Sequence, residues 1–238
     1  MPVGIDAGTG SDLAAAALGL ARRFGAGGTL WCMAPSHPEH ARHVAVEFVH
    51  PVVMGTRALP AVAVDGPDPI ATLRAVTRSG DVLLAVGPAG DAAVLDAVRR
   101  APAWGLSTIW IGAGPRPPAG AADHVLWVDD GAEPATATFD GRVVLRYHLL
   151  WELTHVCFEH PGLLTPDADA CDATGTCITC ADEGRYAEVE AAGGDGLTTV
   201  RTARGRERVD TTLVGAVRPG DLLVVHAGTA IEIVGSET

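Results

Sequence analysis

The sequence predicts an α/β domain built on a parallel sheet, followed by a small all-β barrel. Short apolar runs alternate with helical segments over the first two thirds of the chain. Buried strands that alternate with helices are typical of a parallel sheet with helices on both faces. Beyond a segment rich in Pro, Asp, Gly and Thr, short alternating runs are separated by frequent turns, which is typical of a small barrel.

In the first part, Ser11 or Asp12 can cap the first helix, and Gly25 is placed to end it. The predicted strands are short apolar runs between turn residues. They are Thr29–Met33, Ala61–Val64, Asp81–Val86, Ser107–Ile111 and His124–Val128. The predicted helices are Asp12–Arg23, Glu39–His50, Pro69–Thr77, Asp91–Arg100 and Val143–Phe158.

The last of these helices is apolar around most of its circumference. Seven of its apolar residues cannot all face one sheet: Val143, Leu145, Leu149, Leu150, Trp151, Leu153 and Val156. A helix of this kind is buried on two sides, so we expect a homo-oligomer in which it lies in the subunit interface.

The second part begins after a linker, and its apolar and polar residues alternate with the two-residue period of β-strands. The expected organisation is an α/β domain over 1–165, a linker over 166–176 and a β-domain over 177–238. The predicted strands are Arg185–Ala191, Leu197–Thr202, Arg208–Val214 and Leu222–Ala227, with a turn at Arg218–Asp221.

Composition excludes several classes of partner. The net charge is −12, which argues against binding to nucleic acid or to an anionic membrane. No apolar run is long enough to span a bilayer, and the start has no signal-peptide pattern. We therefore expect a cytoplasmic protein whose five cysteines are reduced, with metal, redox or catalytic roles rather than a disulfide framework.

Cys177 and Cys180 form a Cys-x-x-Cys pair where the linker meets the β-domain. This spacing fits a redox dithiol, half of a zinc site, a soft-metal ligand pair or two inert thiols. Cys171 and His226 could complete a zinc site. The spacing alone leaves these alternatives open.

The C-terminal part contains the segment Val217-Arg-Pro-Gly-Asp-Leu-Leu-Val-Val-His-Ala-Gly-Thr-Ala-Ile231, preceded by Val209–Gly215, and opens at Cys177. The first two segments, and loosely the opening at Cys177, resemble the HypC/HupF family of hydrogenase maturation chaperones. This resemblance implies a barrel of the OB type and a chaperone that transiently carries an iron–cyanide–carbonyl unit. Its partners would be a HypD-type maturation protein and the hydrogenase large-subunit precursor.

That resemblance also implies roles for individual residues. The iron would be bound by the thiolate of Cys177, with Cys180 and His226 as further candidate ligands or supports. A thiolate suits iron that carries strong-field ligands, and zinc is the less favoured metal. The cysteine is internal here, whereas family members carry it next to the initiator methionine.

In the N-terminal part, a family likeness is carried by the segments 30–33, 41–48, 80–86 and 148–153. Through these segments the N-terminal part is similar to SIS domains, which are sugar-phosphate-binding α/β folds, and especially to phosphoheptose isomerase. This likeness places the family's catalytic acid on Glu47 and its catalytic histidine near Val143, with His148 at a later histidine. The second phosphate loop of the family is rich in Ser and Thr, but here it reads Gly87-Pro-Ala-Gly-Asp-Ala92.

The resemblance, with this altered loop, implies a relic sugar-phosphate site made of Glu47, Gly87, Gly90 and Asp91. A carboxylate at the head of a helix suits the helix but repels a phosphate. The histidines His37, His40 and His43, together with Glu47 and His50, also permit a metal site, although a solvated helix face is the favoured interpretation. Cys32 and Cys157 lie in apolar runs and are expected to be core thiols.

The favoured hypothesis is a non-enzymatic [NiFe] hydrogenase maturation chaperone whose SIS-like part has lost isomerase chemistry. The alternative is a phosphosugar-binding protein or sugar-phosphate isomerase with a β-barrel appendage.

Overall fold

The computed structural model describes residues 7–52, 55–128, 141–164, 184–193 and 196–235. The chain divides into two compact units. One comprises residues 1–99 and 107–165, and the other comprises residues 100–106 and 166–238. The short segment 100–106 therefore groups with the C-terminal part of the chain, although it lies between elements of the α/β unit.

The α/β unit is built on a five-stranded parallel sheet with strand order β2-β1-β3-β4-β5. The strands are β1 (Leu30–Met33), β2 (Ala61–Val64), β3 (Val82–Val86), β4 (Ser107–Ala113) and β5 (His124–Val128). The helices are α1 (Ala7–Gly25), α2 (Pro38–Val49), α3 (Pro69–Val76), α4 (Ala92–Arg100) and α5 (Gly141–Glu159). The predicted parallel sheet is confirmed.

The central strand β3 is buried along its whole length, as its uninterrupted apolar sequence predicts. Asp81, just before β3, accepts hydrogen bonds from the backbone N–H of Thr29 and Arg78 and from the indole N–H of Trp31, each at 2.9 Å. A buried carboxylate needs such partners. This one ties the start of β3 to the start of β1.

The first helix differs from its predicted bounds. It already includes Ala7, so Ser11 and Asp12 lie inside it and do not cap it, while Gly25 is its last residue. The alanine-rich sequence extends the helix through these two residues, because a good helical context overrides a single capping signal. In α3 a cap does form, since Asp68 accepts a hydrogen bond from the N–H of Ala71 at 2.9 Å.

Helix α5 packs against α1 and α2 and buries Val143, Tyr147 and Leu150. Leu145 and Val156 remain 36% and 38% exposed. The expectation that this helix lies in a subunit interface stays a prediction. Among the described residues, the structure contains no helix that has both the length and the apolar character to cross a membrane.

The C-terminal unit contains a closed five-stranded barrel with strand order β10-β8-β7-β6-β9. Its strands are β6 (Arg185–Ala191), β7 (Leu197–Thr202), β8 (Gly205–Asp210), β9 (Leu222–His226) and β10 (Thr229–Val234). The predicted barrel is therefore confirmed. Its interior is filled by small and branched apolar side chains: Ala187, Val189, Val200, Val209, Leu223, Val225 and Ala230.

Within this unit, the 3₁₀ turn Ala101–Trp104 is attached through a buried carboxylate. Glu188 on β6 accepts hydrogen bonds from the guanidinium of Arg100 and from the indole N–H of Trp104, both at 2.7 Å. Arg100 also donates to the carbonyl of Gly220 at 2.6 Å. These contacts explain why residues 100–106 group with the barrel.

We predict that Gly112→Ala destabilises the α/β unit. A Cβ at this position would lie 2.4 Å from the carbonyl oxygen of Gly87 and 2.4 Å from the ring of Trp127. Relieving such overlap costs about 1–3 kcal/mol in a packed core. Urea unfolding followed by circular dichroism should show a lower midpoint for Gly112→Ala.

Gly90→Ala is the matched control, because a Cβ there meets no atom within 4 Å. Equal midpoints for the two variants would contradict the prediction.

Candidate metal site and the neighbouring loop

The candidate site is formed by two helices that follow strands of the parallel sheet. Helix α2 begins at Pro38, five residues after β1 ends at Met33, and α5 packs against it. In sheets of this kind, ligands bind near the carboxyl ends of the strands. The first turns of α2 are therefore a favourable place for functional side chains.

Three metal-ligating side chains converge between α2 and α5. They are His43 and Glu47, one helical turn apart on α2, and His148 on α5; we refer to them as the triad. Nε2 of His43 lies 3.3 Å from Oε1 of Glu47 and 3.3 Å from Nε2 of His148. One ligand atom of each residue lies within 4.8 Å of the others.

This spacing fits a small cation with tetrahedral coordination. Zinc binds imidazole nitrogen and carboxylate oxygen at about 2.0–2.1 Å, which separates tetrahedral ligands by about 3.3–3.4 Å. Both separations at His43 have this value. Three protein ligands would leave one coordination position for an external molecule, as in catalytic rather than structural zinc sites.

The other ring nitrogen of His43, Nδ1, lies within hydrogen-bond distance of a side chain on α5. The hydroxyl of Tyr147 lies 2.9 Å from Nδ1 of His43 and 3.3 Å from Nδ1 of His40. Tyr147 is 1% exposed and His40 is 8% exposed. The triad is therefore backed by a buried hydrogen-bonded chain that runs from His43 through Tyr147 to His40.

Burial sets the protonation of this chain. It lowers the pKa of His40, against the opposing effect of Glu39, so that its ring is neutral near pH 7. Burial, with smaller effects from Glu47 and Glu39, raises the pKa of Tyr147 to about 12. The phenol therefore keeps its proton and can act as a donor at neutral pH.

In the loop between β3 and α4, the side chain of Asp91 bonds to the backbone N–H groups at the start of α4. Oδ1 of Asp91 accepts hydrogen bonds from the N–H groups of Ala93 and Val94, at 3.0 and 3.2 Å. Its Oδ2 accepts from the hydroxyl of Ser36, in the loop before α2, at 2.6 Å. Asp91 thus satisfies the start of α4 and ties the two loops together.

The backbone donors of this loop are used as well. The N–H of Gly87 donates to the carbonyl of Ile111 at 3.0 Å, and the N–H of Asp91 donates to the carbonyl of Pro88 at 3.1 Å. Pro88 itself has no N–H. Several donors that could bind a phosphate are therefore already paired, and the carboxylate of Asp91 adds a repulsive charge.

The structure separates the residues predicted for the relic sugar-phosphate site into two groups. Glu47 belongs to the triad, whereas Gly87, Gly90 and Asp91 belong to the loop. Val143, at the position of the expected catalytic histidine, is a fully buried core residue. His148 supplies the second imidazole of the triad instead.

The structure also corrects the interpretation of α2 as a solvated face. His40 is buried against Tyr147, because α5 covers the side of α2 on which it lies. The sequence placed His43 and Glu47 in one candidate metal cluster but did not add His148 to it, and it gave no sign of Tyr147. The signal that was present is the i, i+4 spacing of His43 and Glu47, which places both on one helix face.

The thiols predicted for the second part lie outside the described residues. These are Cys171, Cys177 and Cys180. His226 is described, at the end of β9, where it pairs with Thr229 of β10. Cys32 and Cys157 are buried, as predicted for core thiols, and burial raises the pKa of both thiols.

Comparisons with known proteins identify the fold of the α/β unit. No family model matches the chain, and no curated protein matches it significantly. Among solved structures, a phosphoheptose isomerase from Francisella tularensis is 18% identical, with a TM-score of 0.51, over 61% of this chain and 86% of that chain. A Bacteroides fragilis protein with a proposed phosphosugar isomerase role in capsule formation is 15% identical, with a TM-score of 0.50, over 66% and 83%.

These likenesses show that roughly the N-terminal 60% of the chain has the SIS fold. They confirm the predicted SIS-like sheet. They give no support for the resemblance of the C-terminal unit to the HypC/HupF family, and that resemblance stays a prediction.

We predict that Asp91→Ala destabilises the α/β unit by about 1 kcal/mol, the usual effect of removing a helix cap. Asp91→Ser should recover most of this loss, because a serine hydroxyl can accept the same N–H groups. Urea unfolding of the two variants and the wild type measures the difference. If Asp91→Ala unfolds at the wild-type midpoint, Asp91 does not stabilise α4.

Proposed function

We propose that the α/β unit binds a divalent transition-metal ion, zinc in the first place, at the triad His43–Glu47–His148. The observation that supports this is the convergence of two imidazole nitrogens and a carboxylate oxygen within 4.8 Å of one another. Zinc sites with two histidines, one glutamate and an open position are known among hydrolytic enzymes. When bound, such an ion polarises a carbonyl or hydroxyl oxygen at its open position.

The ligand that we propose for this position is a small sugar in its open-chain form. The carbonyl oxygen of such a sugar is a ligand of the kind that zinc accepts at its open position. The fold supports this choice, since the two similar structures are described as a phosphoheptose isomerase and as a protein with a phosphosugar isomerase role. In this proposal the triad is a sugar-binding metal site.

We further propose that this unit does not isomerise sugar phosphates. A sugar-phosphate isomerase must anchor the phosphate, and free N–H groups at a helix start are a common anchor. At α4, those of Ala93 and Val94 already bond to Asp91. A phosphate brought to this loop would meet the carboxylate of Asp91.

The metal is tested by calorimetry at neutral pH with zinc and the full chain. We expect a dissociation constant in the micromolar range or tighter, about 8 kcal/mol. Replacing a triad residue, as in His43→Ala, should remove the triad's zinc site from the titration, whether or not Cys177 and Cys180 also bind zinc. His50→Ala is the matched control, because His50 is an exposed histidine at the end of the same helix and lies outside the triad.

Equal zinc binding by wild type and His43→Ala would overturn the metal site. The proposed lack of phosphate recognition has its own test in the same instrument. Sedoheptulose 7-phosphate should bind more weakly than about 1 mM, about 4 kcal/mol, and should not be turned over. Micromolar binding or turnover would contradict this part of the proposal.

A second candidate function concerns the C-terminal unit alone. The segment Val217–Ile231, which carries the resemblance to hydrogenase maturation chaperones, spans the turn before β9, the whole of β9 and the start of β10. Ala227, in the two-residue turn between these strands, has φ of 48°, and the following Gly228 has φ of 84°. A two-residue hairpin turn of type I′ needs positive φ at both central residues, and the Ala-Gly pair of the resembling segment occupies these two positions.

Under this second hypothesis, the C-terminal unit is a non-enzymatic chaperone in [NiFe] hydrogenase maturation. It would transiently carry an iron–cyanide–carbonyl unit on Cys177, with Cys180 and His226 in support. A HypD-type protein and the large-subunit precursor would be its partners. The support is the sequence resemblance together with a closed five-stranded barrel.

Infrared spectroscopy tests this second candidate. The full chain, co-expressed with the maturation proteins and purified, should show cyanide and carbonyl bands, and Cys177→Ala should lose both these bands and hydrogenase maturation. Cys32→Ala serves as the control, since Cys32 is a buried core thiol. Retention of bands and maturation by Cys177→Ala would refute the thiol assignment.

A further inference from the structure

Tyr147 occupies a position that the proposed metal site does not use directly. Its side chain is buried between α5 and α2, and its hydroxyl lies within hydrogen-bond distance of two histidine nitrogens, Nδ1 of His43 and Nδ1 of His40. A phenol has one proton. Where both contacts are hydrogen bonds, it therefore donates to one histidine and accepts from the other.

Metal binding at the triad would determine the direction of this chain. Nε2 of His43 faces Glu47 and His148, so this nitrogen must give its lone pair to the metal. The ring proton of His43 then has to sit on Nδ1, where the oxygen of Tyr147 lies 2.9 Å away as its acceptor. The proton of Tyr147 is thereby directed to Nδ1 of His40.

His40 can accept that proton because its ring is neutral. Burial lowers its pKa, so near pH 7 one ring nitrogen carries a free lone pair. Partners that accept the second ring N–H of a metal-binding histidine fix its tautomer and raise its basicity. The geometry of the buried chain matches this role, with a phenol in place of the more common carboxylate or carbonyl.

We infer that Tyr147, supported by His40, is a positioning residue that holds His43 with Nε2 directed at the metal position of the triad. The inference rests on the proposed metal site and deepens it. Tyr147 does not touch the metal or the ligand. It acts through His43, by accepting the Nδ1 proton and by packing against the imidazole with ring centroids 5.2 Å apart at 74°.

The experiment compares Tyr147→Phe with Tyr186→Phe. The chain has two tyrosines, and Tyr186 lies on β6 of the other unit with 41% exposure. Both substitutions remove one hydroxyl and keep the ring. Calorimetric titration of the full chain with zinc should show about tenfold to hundredfold weaker binding for Tyr147→Phe and wild-type binding for Tyr186→Phe.

A spectroscopic measurement separates positioning from general stability. In zinc-bound wild type, nitrogen-15 NMR should show His43 protonated at Nδ1, with a slowly exchanging, hydrogen-bonded proton. In Tyr147→Phe this proton should exchange rapidly. Metal-free thermal unfolding checks that the variant folds. His40→Leu, which keeps Tyr147 but removes its acceptor, is the second variant and should also weaken zinc binding.

The outcomes distinguish the inference from the proposed function. Zinc binding by the wild type, with unchanged affinity and an unchanged His43 proton in Tyr147→Phe, overturns the inference and leaves the metal site in place. If Tyr147→Phe does not fold, unchanged zinc affinity in His40→Leu likewise overturns the inference and leaves the metal site in place. A wild type that binds no zinc overturns the proposed function, and the inference with it.

Discussion

The packing of helix α5 against α2 is the contact on which the candidate site depends. Helix α2 alone supplies His43 and Glu47, which lie on one face because they are one turn apart. The third metal-ligating side chain, His148, and the hydroxyl of Tyr147 come from α5. Tyr147 and His148 are consecutive residues, so a rotation of α5 about its axis would move both away from His43. The apolar side chains that fix this rotation, among them Val143 and Leu150, are fully buried. The core thus positions polar groups that would not otherwise meet.

The same constraint explains what could be predicted from the sequence. The five strands of the parallel sheet could be placed because uninterrupted apolar runs such as Val82–Val86 have few alternatives to a parallel sheet covered on both faces. The triad could not be assembled in this way. Glu47 and His148 are about a hundred residues apart, and which face of α5 meets α2 is decided by packing rather than by either segment. His40 illustrates the same limit, since a polar helix face with several histidines resembles a solvated face until another helix covers it. The start of α1 was missed for a local reason, because Ser11 and Asp12 favour caps but also tolerate a helix interior.

Asp91 gives the loop at α4 a different chemical character from an anion site. A helix start with free N–H groups attracts a phosphate, but a carboxylate from the chain itself can satisfy the same groups permanently. Here Asp91 bonds to two of them and also receives the hydroxyl of Ser36. Two of the N–H groups that a phosphate could use are therefore already bonded within the chain. The SIS fold therefore does not by itself specify a phosphate ligand, because one fold can carry different functional sites.

The two units carry different candidate ligands. In the α/β unit, the candidate ligands are imidazole and carboxylate groups, which suit a divalent ion such as zinc. In the C-terminal unit, the predicted ligands are thiols, which suit softer iron bearing cyanide and carbonyl. Thiolates bind zinc as well as iron, so the two ligand sets are told apart by variants of their residues rather than by the metal alone. A metal bound at the triad therefore carries no information about the thiols, and an iron unit on Cys177 would not require the triad. Variants in His43 and Cys177 should accordingly affect two independent metal-binding properties of one chain, and a loss of both through either substitution would mean that the two sites are coupled.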